Sequence, residues 1–134
     1  MQITRLILSS CLLAALAGCG PALIAGGAAV GAGTVMMAQG EVYSEFARPM
    51  DDVWKASLAV LKDLDLQIWD KDKRPSRGLI KARRLDGSPI TIRLSPETRR
   101  TTKVAIRVGT FGDEDTSKLI LDEIAGRLHK QNMN

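Results

Sequence analysis

The stretch PITIRLSPETRRTTKVAIRVG, Pro89 to Gly109, alternates apolar and polar residues twice around a polar centre. Ile90, Ile92 and Leu94 stand against Thr91 and Arg93; Val104, Ile106 and Val108 then stand against Lys103 and Arg107. A period of two is the signature of a strand with one buried face and one wet face. The centre, PETRRTT, reads as a polar loop. Two such strands side by side present one apolar surface that something else has to cover.

The flanking sequence supplies the cover. Upstream, GLIKARR and DLQIWDKD read as two further strands, with Leu66 and Ile68 alternating against Gln67 and Trp69. The Asp86-Gly87 pair in LDGS predicts the tight primed turn of a hairpin. EVYSEFA, Glu41 to Ala47, reads as a first strand. Pro49 and the acidic Asp51-Asp52 then open a helix, suited to its first turn by fixed φ and by the dipole. Val53, Trp54, Ser57, Leu58, Val60, Leu61 and Leu64 fall in one arc of roughly 160°. Downstream, GDEDTSKLILDEIAGRLHK is a second helix with Ile120, Leu121, Ile124, Ala125 and Leu128 on one face. The order β-α-β-β-β-β-α predicts an α+β fold. It is a two-layer sandwich of an antiparallel sheet of about five strands with two helices on one face.

Charge follows the same division. From Lys71 to Arg107 there are twelve Lys or Arg and three Asp or Glu, whereas the segments 51–65 and 113–130 each carry a net −2. Alternation sends Lys81, Arg83, Arg93, Lys103 and Arg107 away from the helices, together with Trp69, Leu79 and Tyr43. Such a face suits anionic surfaces: lipid headgroups, lipopolysaccharide phosphates, peptidoglycan carboxylates or an acidic envelope protein. A wet sheet face also needs polar residues simply to stay soluble and unaggregated. Asp63, Asp65, Asp70 and Asp72 read as solvated turn residues.

Catalytic chemistry finds little to work with. His129 is the single histidine and falls on the polar side of its helix. Zinc ligation or a Ser-His relay would lack a partner. GTFGDEDTSK lies between a strand and a helix like a phosphate loop, but it lacks the Gly-Lys-Ser/Thr core, and its acids fit a helix N-terminus better. Trp54, at helical spacing, reads as core. No catalytic, metal or cofactor-binding residue is expected, and no enzyme.

The N-terminus addresses location. Met1 to Cys19, MQITRLILSSCLLAALAGC, has a basic Arg5 and an apolar run from Leu6 to Leu16 that is short for a membrane span. Leu16-Ala17-Gly18-Cys19 resembles the lipobox of bacterial lipoproteins. The resemblance implies cleavage after residue 18, with a diacylglyceryl group and an N-acyl chain on Cys19. Cys11 would leave with the signal, so no thiol would remain for a disulfide or a metal. The mature chain would carry 18 basic and 15 acidic side chains, a formal +3.

Residues 19–39 then form a neutral, Gly/Ala-rich tether. A membrane-associated helix that self-associates through Gly27 and Gly31, and a segment that packs on its own domain, are the other two readings. Residues 40–134 form the periplasmic domain. Gly20 after the cysteine agrees with outer-membrane sorting.

The lipobox, the Gly/Ala tract, VWKASLAVLKDL, RGLIKARRLDGSPITIRL and TKVAIRVGTFGDEDTSKLIL together resemble an uncharacterised bacterial lipoprotein family, the domain-of-unknown-function 3568 family. That resemblance implies an envelope lipoprotein of α+β fold and brings no catalytic residues. The expectation is a non-enzymatic structural or interaction module, lipid-anchored at the outer membrane and facing the periplasm, with the inner membrane as the alternative. A nucleic-acid partner is not expected. Two rivals are a carrier that holds an amphiphile in a cavity under Trp54, Leu58 and Ile124, and a membrane oligomer built on the glycine tract.

Overall fold

The computed structural model describes residues 35–133. Cys19, Gly27 and Gly31, with the signal and most of the tether, lie outside the described residues. The elements are β1 (Met36–Ala38), β2 (Glu41–Phe46), α1 (Met50–Asp63), β3 (Gln67–Arg74), β4 (Arg77–Arg83), β5 (Pro89–Thr98), β6 (Thr101–Val108) and α2 (Glu114–Lys130). All six strands join one antiparallel sheet in the order β1-β2-β6-β5-β4-β3. The α+β reading holds, with six strands in place of about five.

The core is the apolar set that alternation selects. Ile90, Ile92, Leu94, Val104, Ile106 and Val108 are buried, and so are Val53, Trp54, Val60, Leu61, Ile120, Leu121, Ile124 and Leu128 from the helices. Helix α1 packs over β3 to β6 and α2 over β2 and β6, so both lie on the same face. Each full burial of such a side chain contributes about 2 kcal/mol. This layer is the main source of stability.

Four local features depart from the sequence reading. The sheet begins at Met36, inside the stretch assigned to the tether, because Gln39 (φ 53°) and Gly40 (φ 77°) make a two-residue turn that folds Met36–Ala38 back onto β2. Two consecutive positive φ values are what a primed hairpin turn requires. At Asp86-Gly87, by contrast, only Gly87 is left-handed, at φ 89°. There the Gly87 N–H donates to Arg84 O (3.0 Å) and the Arg84 N–H to Ser88 O (3.0 Å). This is a three-residue loop with a glycine bulge, and Leu85 sits at its tip.

The PETRRTT stretch is mostly strand rather than loop. β5 runs to Thr98 through an irregularity at Pro96/Thr98, and the connection shrinks to Arg99-Arg100. Finally, a bulge between Ile68 and Asp70 resets the alternation of β3. Asp70 and Asp72 therefore stand in the strand, opposite Lys81 and Leu79, and are not turn residues.

One contact explains a glycine pair. A Cβ on Gly112 (φ 87°) would lie 2.6 Å from the Gly40 Cα, and one on Gly40 would lie 2.8 Å from Phe111 O. The β1–β2 turn and the β6–α2 loop thus meet backbone to backbone. Gly112→Ala combines this overlap with a left-handed φ and is expected to cost about 2 kcal/mol or more. Gly126 lies inside α2, and a Cβ there meets nothing. Gly126→Ala should gain about 1 kcal/mol from helix propensity. Chemical denaturation of the two variants checks the opposite signs; effects of the same sign contradict the packing described.

Candidate functional site

Antiparallel register turns the outer face of the sheet into rows of side chains. One row runs Met36, Tyr43, Ala105, Arg93, Leu79, Asp72 across all six strands. To one side lies Glu45–Lys103–Ser95, to the other Arg107–Thr91–Lys81–Asp70. Arg83 pairs with Gln67 one step further along. All five cations expected on this face are on it. Their surroundings differ.

Lys81 is held between two partners, with its Nζ 3.2 Å from Asp70 Oδ2 and 5.0 Å from the centre of the Trp69 ring. The bulge makes this possible. It places Trp69 and Asp70 against a single partner residue, and the indole stays 58% exposed. Lys103 lies over the Tyr43 ring at 4.7 Å. Both are lysine–aromatic pairs at solvent-facing positions, each worth about 0.5–1 kcal/mol. Arg93 pairs with Glu41. Arg107 donates to Thr110 O (2.7 Å) and Gln39 O (3.4 Å), fastening the two turns that meet at Gly40 and Gly112. Arg83 is exposed and forms no ion pair among the described residues.

The face therefore carries four carboxylates, Glu41, Glu45, Asp70 and Asp72, among its cations. The sequence reading placed none of them there. Asp72 pairs with Arg74 (3.1 Å) and Arg77 (3.4 Å). What results is a mixed-charge surface with an aromatic at each side, not a uniformly basic one. Lys103 and Arg83 form no ion pair among the described residues, and Lys81 is shared between Asp70 and the Trp69 ring.

Trp54 packs closely against β4. Its indole lies so close to Gly78 that a Cβ there would come within 3.0 Å of the ring, and Ile124 is fully buried. Open concavities are present among the described residues. One of about 350 Å³ is lined by Glu123, Gly126, Arg127, Lys130 and Gln131, and one of about 300 Å³ lies between the α1–β3 turn and the Leu85 loop. Among the described residues no group of three or more His, Cys, Asp or Glu could hold a metal ion. No described helix is long and apolar enough to cross a membrane.

The acids at the start of α2 act as the sequence reading expects. Asp113 is the N-cap: its carboxylate accepts from Thr116 Oγ1 (2.7 Å) and the Thr116 N–H (3.0 Å), and Arg84 lies 3.5 Å away. These bonds, the Thr116 hydroxyl first, hold its carboxyl below the usual range. Asp51 is lowered by the Lys73 ammonium bonded to it, and Asp86 by the Ser88 N–H.

A carboxyl whose folded pKa is lowered stabilises the fold above its unfolded pKa and loses that contribution as pH falls through the folded one. Stability should accordingly be flat above about pH 4–5 and fall below it. Asp113→Asn keeps a capping oxygen but cannot titrate, so its acid limb should be shallower in thermal melts across pH. An acid limb identical to that of the parent chain contradicts the role given to Asp113.

The chain matches the family described as "Protein of unknown function (DUF3568)" over residues 2–127. It belongs to that family. Comparison with curated proteins finds no match.

Proposed function

We propose that the chain is a lipid-anchored cell-envelope protein, fixed through acyl chains on Cys19, and that it works as a non-enzymatic interaction module. Its domain faces the periplasm, and its working surface is the outer face of the sheet. The observation that carries this reading is the pair of lysine–aromatic contacts on the outer face, Lys81 on Trp69 and Lys103 on Tyr43, flanking a row in which Ala105 and Leu79 stand on either side of Arg93. Aromatic rings cover flat apolar groups, and cations held above them attract carboxylates or phosphates. A partner that carries separated anionic groups on a partly apolar frame fits that pattern. Peptidoglycan, lipopolysaccharide and an acidic envelope protein all have this chemistry.

Isolated peptidoglycan and anionic vesicles, tested separately by co-sedimentation, serve as probes. The variant Lys81→Ser/Arg83→Ser/Lys103→Ser removes cations whose loss spares the Glu41–Arg93 pair and the Arg107 fastening. Binding to at least one probe should fall several-fold and weaken as salt rises, because exposed charges are screened within about 10 Å at 0.1 M salt. Binding by the triple variant equal to that of the native chain on both probes contradicts the proposal.

A further inference from the structure

The two ends of the sheet differ in chemistry. At one end lie the exposed turns Pro75-Ser76 and Arg99-Arg100, with Arg74 and Arg77 beside them. At the other end the β4–β5 turn, the β6–α2 loop and the β1–β2 turn come together, and the first two each hold out one apolar side chain. Leu85 is 88% exposed and Phe111 94%. A single exposed apolar side chain is ordinary. These two, however, stand on braced neighbouring turns. Arg84 reaches from the Leu85 turn to Asp113, 3.5 Å away, and Arg107 holds Thr110 O. The Phe111 carbonyl itself packs against Gly40. The backbone holds both side chains out in water where they add nothing to the domain's own core.

A bilayer is the apolar phase always within reach of this end, if Cys19 is acylated. Residues 20–34 carry no charge and, fully extended, span at most about 50 Å. A tether of that length keeps the domain at high effective concentration beside the membrane. Behind the apolar tips stand Trp69, Arg83 and Arg84, residue types that favour the headgroup region. Asp65, Asp86, Asp113 and Glu114 outnumber those arginines, so charge does not draw this end to an anionic leaflet and apolar insertion has to hold it there.

We propose that this end of the sheet seats in the interfacial layer of the bilayer that holds the anchor, with Leu85 and Phe111 entering the boundary between headgroups and acyl chains. The proposal rests on the lipid-anchored reading above. It stands the sheet edge-on to the membrane, with the arginine-rich end outward. The outer face then meets its partner away from the anchoring leaflet.

The test uses the full chain isolated from membranes and reconstituted into vesicles of phosphatidylethanolamine and phosphatidylglycerol. Leu85→Cys, Phe111→Cys and Ser76→Cys each receive an environment-sensitive fluorophore, and iodide quenches from the water. The labels at 85 and 111 should shift to the blue and be quenched several-fold less than the label at 76. Raised salt should leave that difference intact. Equal quenching at all three positions, in a chain that floats with the vesicles, overturns the seat and leaves the anchor standing. Protection at 111 that grows with protein density at fixed lipid identifies a second copy as the occupant and likewise overturns it. A chain that does not float removes the anchored reading, and the seat falls with it.

Discussion

Everything in this domain follows from a sheet covered on one side only. Six antiparallel strands pack their inner residues, Ile90, Ile92, Leu94, Val104, Ile106 and Val108 above all, against two helices. Among the described residues no element covers the other face. Alternation then turns every second residue toward water, and most of those positions are charged, polar or aromatic. The same constraint that builds the core therefore builds the outer surface. Shifting β5 or β6 by one residue would exchange the two sets.

The glycines at 40 and 112 fix how the ends of that sheet are closed. Their contact lets the β1–β2 turn lie directly on the loop that leads into α2, and Arg107 fastens both through carbonyl oxygens. An arginine that the sequence suggests as a binding residue is thus partly occupied in holding the fold. Arg93 is similarly engaged with Glu41. A count of cations on a face overstates what that face offers a partner. Pairing within the face decides how much charge remains to be used.

How much of this was legible in the residues depends on the range of the signal. The strands from β2 to β6 and both helix faces follow from periodicity, because burial on one side writes period 2 or 3.6 into the sequence. The N-cap at Asp113 was legible for a similar reason, since it acts within three residues of itself. β1 was not. Its three residues, MMA, are apolar without alternation and merge with the neutral tract before them; only the Gln39-Gly40 turn marks the hairpin. The placing of Asp70 and Asp72 also escaped, because a bulge adds one residue to β3 without any change in composition. Gln39 in a left-handed conformation is an unusual choice, and sequence preference points instead to Asp86-Gly87, where one positive φ and a bulge serve. The carboxylates that temper the outer face sit on β2 and β3, at sequence distances that strand alternation alone does not connect to Arg93 or Lys81.

In the proposed function, the fold contributes a surface and the N-terminal sequence a place. The surface is a mixed-charge sheet with Trp69 and Tyr43 under lysines, and the place depends on what is attached to Cys19. The intact mass of the chain extracted from membranes tests that attachment most directly. The expected result is a chain that begins at Cys19, heavier than its residues by a diacylglyceryl group and an acyl chain. A chain that still carries residues 1–18, or one that begins at Cys19 with an unmodified thiol, contradicts the account.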